Sequence, residues 1–188
     1  MRQATEDDLG VMDVISAQCD LPPLPRDVLD TCLAFIGEHG YIILDPLNSA
    51  QGIIHVTVAP RGRGKWGKDF FRAAIRWLFT TTRVENVLAA IPETDQHVVF
   101  FAMDSWFRVV YNSGTHSYVN LDLLRWIAMD PVCLELGDGD ASDYELADRH
   151  MIKRVRGAAK LMQEAGMPHK AWHIHNLYAK LFGYKAEV

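Results

Sequence analysis

Val56-Thr57-Val58-Ala59-Pro60-Arg61-Gly62-Arg63-Gly64-Lys65-Trp66-Gly67-Lys68 is the stretch that decides the fold. A β-branched run turns at Ala59-Pro60, crosses a loop of glycine and arginine, and enters a helical pattern at once. Such a junction offers unpaired backbone N–H groups and the positive end of a helix dipole to an anion. Glycine lets a phosphate come close to the backbone. The spacing fits neither the G-x-x-x-x-G-K-[ST] phosphate loop nor the G-x-G-x-x-G dinucleotide turn. The alternative is a tight strand-to-helix turn with a solvated basic rim.

Before the junction, Thr5 with Glu6, Asp7 and Asp8 reads as a capped helix start, followed by Leu9, Met12, Ile15 and Cys19 at helical spacing. Leu21-Pro22-Pro23-Leu24-Pro25 breaks it. A second helix is expected on the face Val28, Leu29, Cys32, Leu33 and Ile36, ended by Gly37 and Gly40. Tyr41–Leu44 and Gly52–Val58 read as an antiparallel pair around a turn at 45–50. After the junction, Phe71, Ala74, Ile75 and Leu78 share a helix face, Val84–Ile91 is a strand closed by Pro92, 95–107 a short helix, and Tyr118–Ile127 a strand.

The order of these elements, with V-x-P…[QR]-x-x-G-x-[GA] as the loop pattern, resembles the GNAT acetyltransferase superfamily across residues 1–127. Arg61 matches the Gln/Arg position and Gly64 the central glycine. The resemblance implies an α/β (strictly α+β) fold, a mixed and mostly antiparallel sheet flanked by helices. It implies acetyl-CoA as cofactor and an amine-bearing acceptor. It assigns the pyrophosphate to the loop Arg61, Gly62, Arg63, Gly64, Lys65, Trp66, Gly67 and Lys68, and the pantetheine to Val56 and Val58. The chain departs from the pattern at three places. Trp66 takes the second small-residue position. In the family's N-x-x-A-x-x-L-Y-x-x-x-G-F signature, Ala102 stands at the tyrosine that often protonates the leaving thiolate, and Trp106 at the glycine; Phe107 fits. The expectation is an N-acetyltransferase-like protein with an eroded site. Glu93, after the strand beside the substrate, and His55, on the strand before the loop, are the expected catalytic groups; Asp95, His97 and Tyr111 are further candidates.

The rest of the chain reads as an acidic linker over 130–141 and a helical extension over 142–188, behind a GNAT-like domain at 1–129. Ser142-Asp143-Tyr144-Glu145 fits a capping box, with Tyr144, Met151, Val155, Ala158 and Met162 striped behind it. A last helix over 170–182 carries Trp172, Leu177, Tyr178 and Leu181. The extension has net charge +3 over residues 143–188, against −8 for the other 142. It is expected to mediate a homo-oligomer or protein contact, together with exposed Trp66, Trp77 and Trp106; the alternative for the three tryptophans is a broad core contact with the C-terminal helices. The alternative function is a non-catalytic assembly protein, such as a virion component akin to GNAT-like tailed-phage proteins. His169, His173 and His175 lack a completing carboxylate or cysteine, and Asp138-Gly139-Asp140 lacks the glycine of a calcium loop, so no metal is expected.

At 188 residues, 49% hydrophobic and 23% charged, the chain can bury a full core without staples. A net charge of −5 argues against general binding of nucleic acid or an anionic membrane. Three scattered cysteines, an acidic N-terminus and no apolar run of membrane length fit a cytoplasmic protein, or one assembled into a virion.

Overall fold

The computed structural model describes residues 1–138, 141 and 146–182. The described residues form two compact units, Met1–Arg76 with Val84–Asp122, and Trp77–Arg83 with the chain from Leu123 onward.

The first unit is built on a seven-stranded sheet. In chain order its elements are β1 (Arg2–Gln3), α1 (Leu9–Ala17), α2 (Val28–Thr31), β2 (Leu33–Gly37), β3 (Gly40–Pro46), β4 (Gln51–Val58), α3 (Lys65–Thr81), β5 (Asn86–Pro92), α4 (Gln96–Asp104), β6 (Arg108–Asn112) and β7 (His116–Asp122). The last turn of α3 belongs to the second unit. The strand order is β1-β2-β3-β4-β5-β7-β6, antiparallel throughout except for β4 beside β5.

Residues paired across antiparallel strands share a face, so one face carries Ala34, Ile36, Tyr41 and Ile43. There Met12 and Ile15 of α1 close a core with Ala4 and Ala59, edged by Leu24, Val28, Leu29 and Cys32. Ser16 Oγ and Tyr41 Oη hydrogen-bond at 2.7 Å within it. The opposite face receives α3. A Cβ on Gly37 would come within 3.0 Å of Trp66 and 2.9 Å of Phe70, so glycine is what lets this helix lie so near β2. Phe71, Phe101 and Phe107 join α3 to α4 through ring contacts of 5.5 and 5.7 Å.

The second unit contains α5 (Leu123–Met129), α6 (Pro131–Glu135), α7 (Leu146–Glu164) and α8 (Pro168–Phe182). Asp130 organises it. Its carboxylate accepts from Trp126 Nε1 at 3.0 Å and from the Val132 amide at 3.1 Å, capping α6, while its carbonyl accepts from Arg154 at 2.9 Å. Phe79 stacks on the fully buried Trp126. α6 and α7 meet backbone to backbone: a Cβ on Gly157 would collide with the Cys133 carbonyl oxygen.

Several elements differ from the sequence expectation. The helix expected through Ile36 stops at Thr31, and Leu33–Gly37 is a strand. The run Leu33-Ala34-Phe35-Ile36 matches a helical stripe and a buried strand equally well, and the sheet captures it. The strand expected through Ile127 ends at Asp122, where α5 begins. Strand β6, which the sequence reading passed over, follows α4 directly. Pro131–Glu135, within the expected linker, is helical. The Trp trio is not an exposed patch. Trp106 is 5% exposed, Trp66 and Trp77 are half-buried, and the exposed tryptophan is Trp172. The capping box 142–145, Tyr144 and most of the half calcium loop lie outside the described residues.

Candidate functional site

Strands β4 and β5 start together and then part. Cα pairing runs Gln51↔Asn86, Gly52↔Val87 and Ile53↔Leu88 and stops there, although β4 continues to Val58 and β5 to Pro92. The Ala59 amide bonds the His39 carbonyl at 2.8 Å, and the Leu47 amide the Gln51 carbonyl at 2.9 Å. These fix the odd-numbered residues of β4 as those bonded to β3, because antiparallel pairs alternate. Val56 and Val58 therefore turn their backbone groups toward β5, into the gap where β5 no longer answers. The Val58 carbonyl accepts from the Cys19 thiol at 3.4 Å.

This open edge leads into the loop. Pro60–Gly62 forms a single 3-10 turn, and Gly64, at φ +88°, sets the chain into α3. The first helical bond is Lys68 N–H to the Gly64 carbonyl, so the amides of Lys65, Trp66 and Gly67 lack intrahelical acceptors. The small residues are required by close approach. A Cβ on Gly62 would collide with His39 Cβ, and one on Gly67 would sit 3.1 Å from the Gly62 carbonyl. Trp66 goes sideways: its indole stacks on Phe70 at 4.9 Å and tilts against His39 at 5.1 Å.

The basic side chains divide into two sets. Lys65 pairs with Asp69, and Lys68 with Asp104 at 2.8 Å. Arg72 donates to the Asp104 carbonyl and lies 4.9 Å over the Trp106 ring. Asp69 and Asp104 are held below the usual carboxylate range, first by their hydrogen bonds from these lysines. Arg61 and Arg63 are exposed, with no ion pair among the described residues. The positive rim left to meet a ligand is thus the loop's own arginines.

His55 is exposed on the face covered by α1. Glu93 is half-buried just past β5; its Oε1 accepts from Asn112 Nδ2 at 3.1 Å, and its buried Oε2 has no partner. Asn112 alternates with Tyr111 and pairs with Ser117, which places it on the opposite face from His55. The structure therefore does not bring His55 and Glu93 together: His55 is on one face of β4, and Glu93 follows β5 and bonds to Asn112 on the other. Asn112, missed in the sequence, belongs to β6, whose only signal was the run Val109-Val110-Tyr111.

Ala102 and Ser105–Phe107 form the end of α4. The Phe107 amide bonds the Ala102 carbonyl and the Trp106 amide the Met103 carbonyl, both at 3.0 Å. This is a Schellman cap, and its left-handed position is Trp106, at φ +77°. A left-handed position of this kind favours glycine, and here an indole with Arg72 over it occupies the place. Ala102 is buried and offers no proton. Among the described residues, no group of three His, Cys, Asp or Glu side chains gathers as a metal site, and no helix is long and apolar enough to cross a membrane.

No family model matches the sequence, and no curated protein matches it. Solved structures do. A chimera of the spermidine N-acetyltransferase SpeG from Vibrio cholerae with hSSAT aligns with TM-score 0.57 at 12% identity, covering 68% of this chain and 99% of that one. A point mutant of the same SpeG aligns at 0.55 and 12%, covering 66% and 95%. The N-acetyltransferase PseH from Campylobacter jejuni aligns at 0.52 and 11%, covering 65% and 97%. The chain has the fold of the GNAT N-acetyltransferases.

Proposed function

We propose that the protein binds acyl-CoA at the β4–β5 gap and the Arg61–Lys68 loop, as an N-acetyltransferase-like protein whose usual general acid is lost. The observation that carries this is the continuity of the β4 edge that β5 leaves at Val56 and Val58, where the Val58 carbonyl accepts from the Cys19 thiol, with a helix start whose first amides lack intrahelical acceptors. The residues fit such a group. The amides of Lys65, Trp66 and Gly67 with Arg61 and Arg63 suit a pyrophosphate, and the edge of β4 suits an extended, amide-bearing arm. Trp66 leaves the amides available because its indole is committed to Gly37 and Phe70.

When bound, acetyl-CoA supplies an acyl group already activated as a thioester. The chain's part is to hold an amine in line with it and to take the proton the amine sheds. On this reading His55 takes that proton from one side, or Glu93, hydrogen-bonded to Asn112, takes it from the other. Ala102 gives the leaving thiolate nothing, so its proton comes from water and the rate rests on positioning.

Isothermal titration with acetyl-CoA tests the reading. Micromolar binding is expected for the native chain. Gly64→Asp places a carboxylate beside the loop at a position where a Cβ meets nothing within 4 Å and where Asp tolerates φ above zero. It is expected to lower affinity at least tenfold.

One observation favours a second reading, assembly through the C-terminal helices. On α8, Trp172, Leu177 and Leu181 are exposed by 58, 36 and 61%. Light scattering of the native chain and of Trp172→Glu checks it: an oligomer broken by the substitution supports assembly, and a monomer in both removes it.

A further inference from the structure

The helices of the first unit cover only part of one sheet face. On the side of α1, Met12 and Ile15 seal β2 and β3. Beyond β4 this face carries His55, then Ala90 on β5, Tyr118 on β7 and Tyr111 on β6. The placement follows from register: Ile53 pairs with Leu88, so His55 and Ala90, each two residues on, point the same way; Ala90 pairs with Tyr118 and Tyr118 with Tyr111. All four are exposed. The tyrosine rings lie 5.8 Å apart and tilted by 34°, and His116 flanks Tyr118 at 6.3 Å. Ala90 is the small member of the row. It leaves a trough between His55 and Tyr118, at the level where β4 and β5 part.

The charge on this face is as informative as its shape. Its strand carboxylates are Asp45 and Asp122. Asp122 is bound to Arg108 at 3.0 Å and lies four residues along β7 from Tyr118, about 13 Å away. Asp45 is on β3, two strands from Ala90 and so about 10 Å off. Glu93 is drawn to the other face by Asn112. The trough thus offers aromatic faces, hydroxyls and an imidazole, with the strand carboxylates of the face set further along it. Aromatic walls of this kind favour a flat apolar body, through ring contacts beyond area burial alone.

We propose that the acceptor taken here is a primary amine on a short alkyl chain borne by an aromatic ring, seated on Ala90 between Tyr118 and His55, with Tyr118 and Tyr111 as the specificity-determining residues. This rests on the acyltransferase reading for the word acceptor; the aromatic platform itself does not.

Ligand-observed NMR titrations with 2-phenylethylamine and with spermidine test it directly, without turnover. The native chain is expected to bind 2-phenylethylamine more tightly than spermidine. Tyr118→Ala is expected to weaken 2-phenylethylamine at least tenfold and Tyr118→Phe to retain it. Tyr118 and Ala90 are both exposed, so neither change disturbs a core. Ala90→Glu fills the trough with a carboxylate and is expected to reverse the preference toward spermidine. Tighter binding of spermidine by the native chain, or 2-phenylethylamine affinity unmoved by Tyr118→Ala, would overturn the proposal. An acetyl-CoA titration on the same samples separates the two claims. Phenylethylamine bound through Tyr118 without acetyl-CoA binding leaves the platform standing and removes the acyltransferase; acetyl-CoA bound with no phenylethylamine does the reverse.

Discussion

Asp8 shows how much one side chain can anchor. Arg2 donates to both its oxygens, and Thr5 donates its amide and hydroxyl at 2.9 and 3.1 Å. These hydrogen bonds, Arg2's first, hold its carboxyl well below the usual carboxylate range. A group depressed in the fold stabilises it above its unfolded pKa and loses that contribution as pH falls through the folded one. Asp8→Asn is therefore expected to lower stability by about 1 kcal/mol near neutrality. Chemical denaturation should show the gap to the native chain closing as pH drops below about 4. Trp106 is a different residue-scale case. Replacement by glycine relieves a left-handed backbone worth about 1–2 kcal/mol but removes a buried indole worth about 3–5. Trp106→Gly is expected to destabilise by roughly 2 kcal/mol in the same measurement. A more stable variant would mean that the indole contributes little packing.

At the scale of elements, glycines mark where the chain must come close, and sequence alone could not tell which of them mattered. The loop pattern singles out Gly64 as its central glycine and gives Gly62 no separate role. In the structure Gly62 is wedged under His39, while Gly64 borders open space at positive φ. Gly157, inside α7, is where that helix meets the Cys133 carbonyl. Gly157→Ala is expected to cost several kcal/mol by overpacking, read as a large fall in the melting temperature. α8 carries a pH effect of its own. Burial, then the nearby Arg156, pushes His175 below its ordinary value. The unfolded chain binds that proton more readily, so stability should rise as pH climbs through about 6.5 and be lower beneath it. His175→Phe should flatten that part of a melting-temperature profile; an unchanged slope would assign it to another group.

For the whole molecule, the sheet, the loop and α3 were legible because their signals are local: β-branched runs, a glycine loop, an apolar stripe at period 3.6. The assignments that failed were those where tertiary context arbitrates. Leu33–Gly37 is a strand because β3 lies beside it, and β6 exists because β7 takes it up despite a register shift at Val109/Tyr111. The site was legible as a loop and not as a cleft. Nothing local in Val56 announces that β5 will turn away, and nothing in Tyr118 announces that it shares a row with His55. The three departures from the family signature also acquire separate meanings only in the fold. Trp66 fills a packing site, Trp106 occupies a left-handed cap position, and Ala102 is buried in α4.

On the proposed function, the β4–β5 gap and its loop bind acyl-CoA. Titration calorimetry of the native chain with acetyl-CoA, repeated on Gly64→Asp, tests it most directly. Micromolar binding that weakens at least tenfold in the variant is the expected result. No heat at hundreds of micromolar, or equal affinity in both proteins, would contradict it.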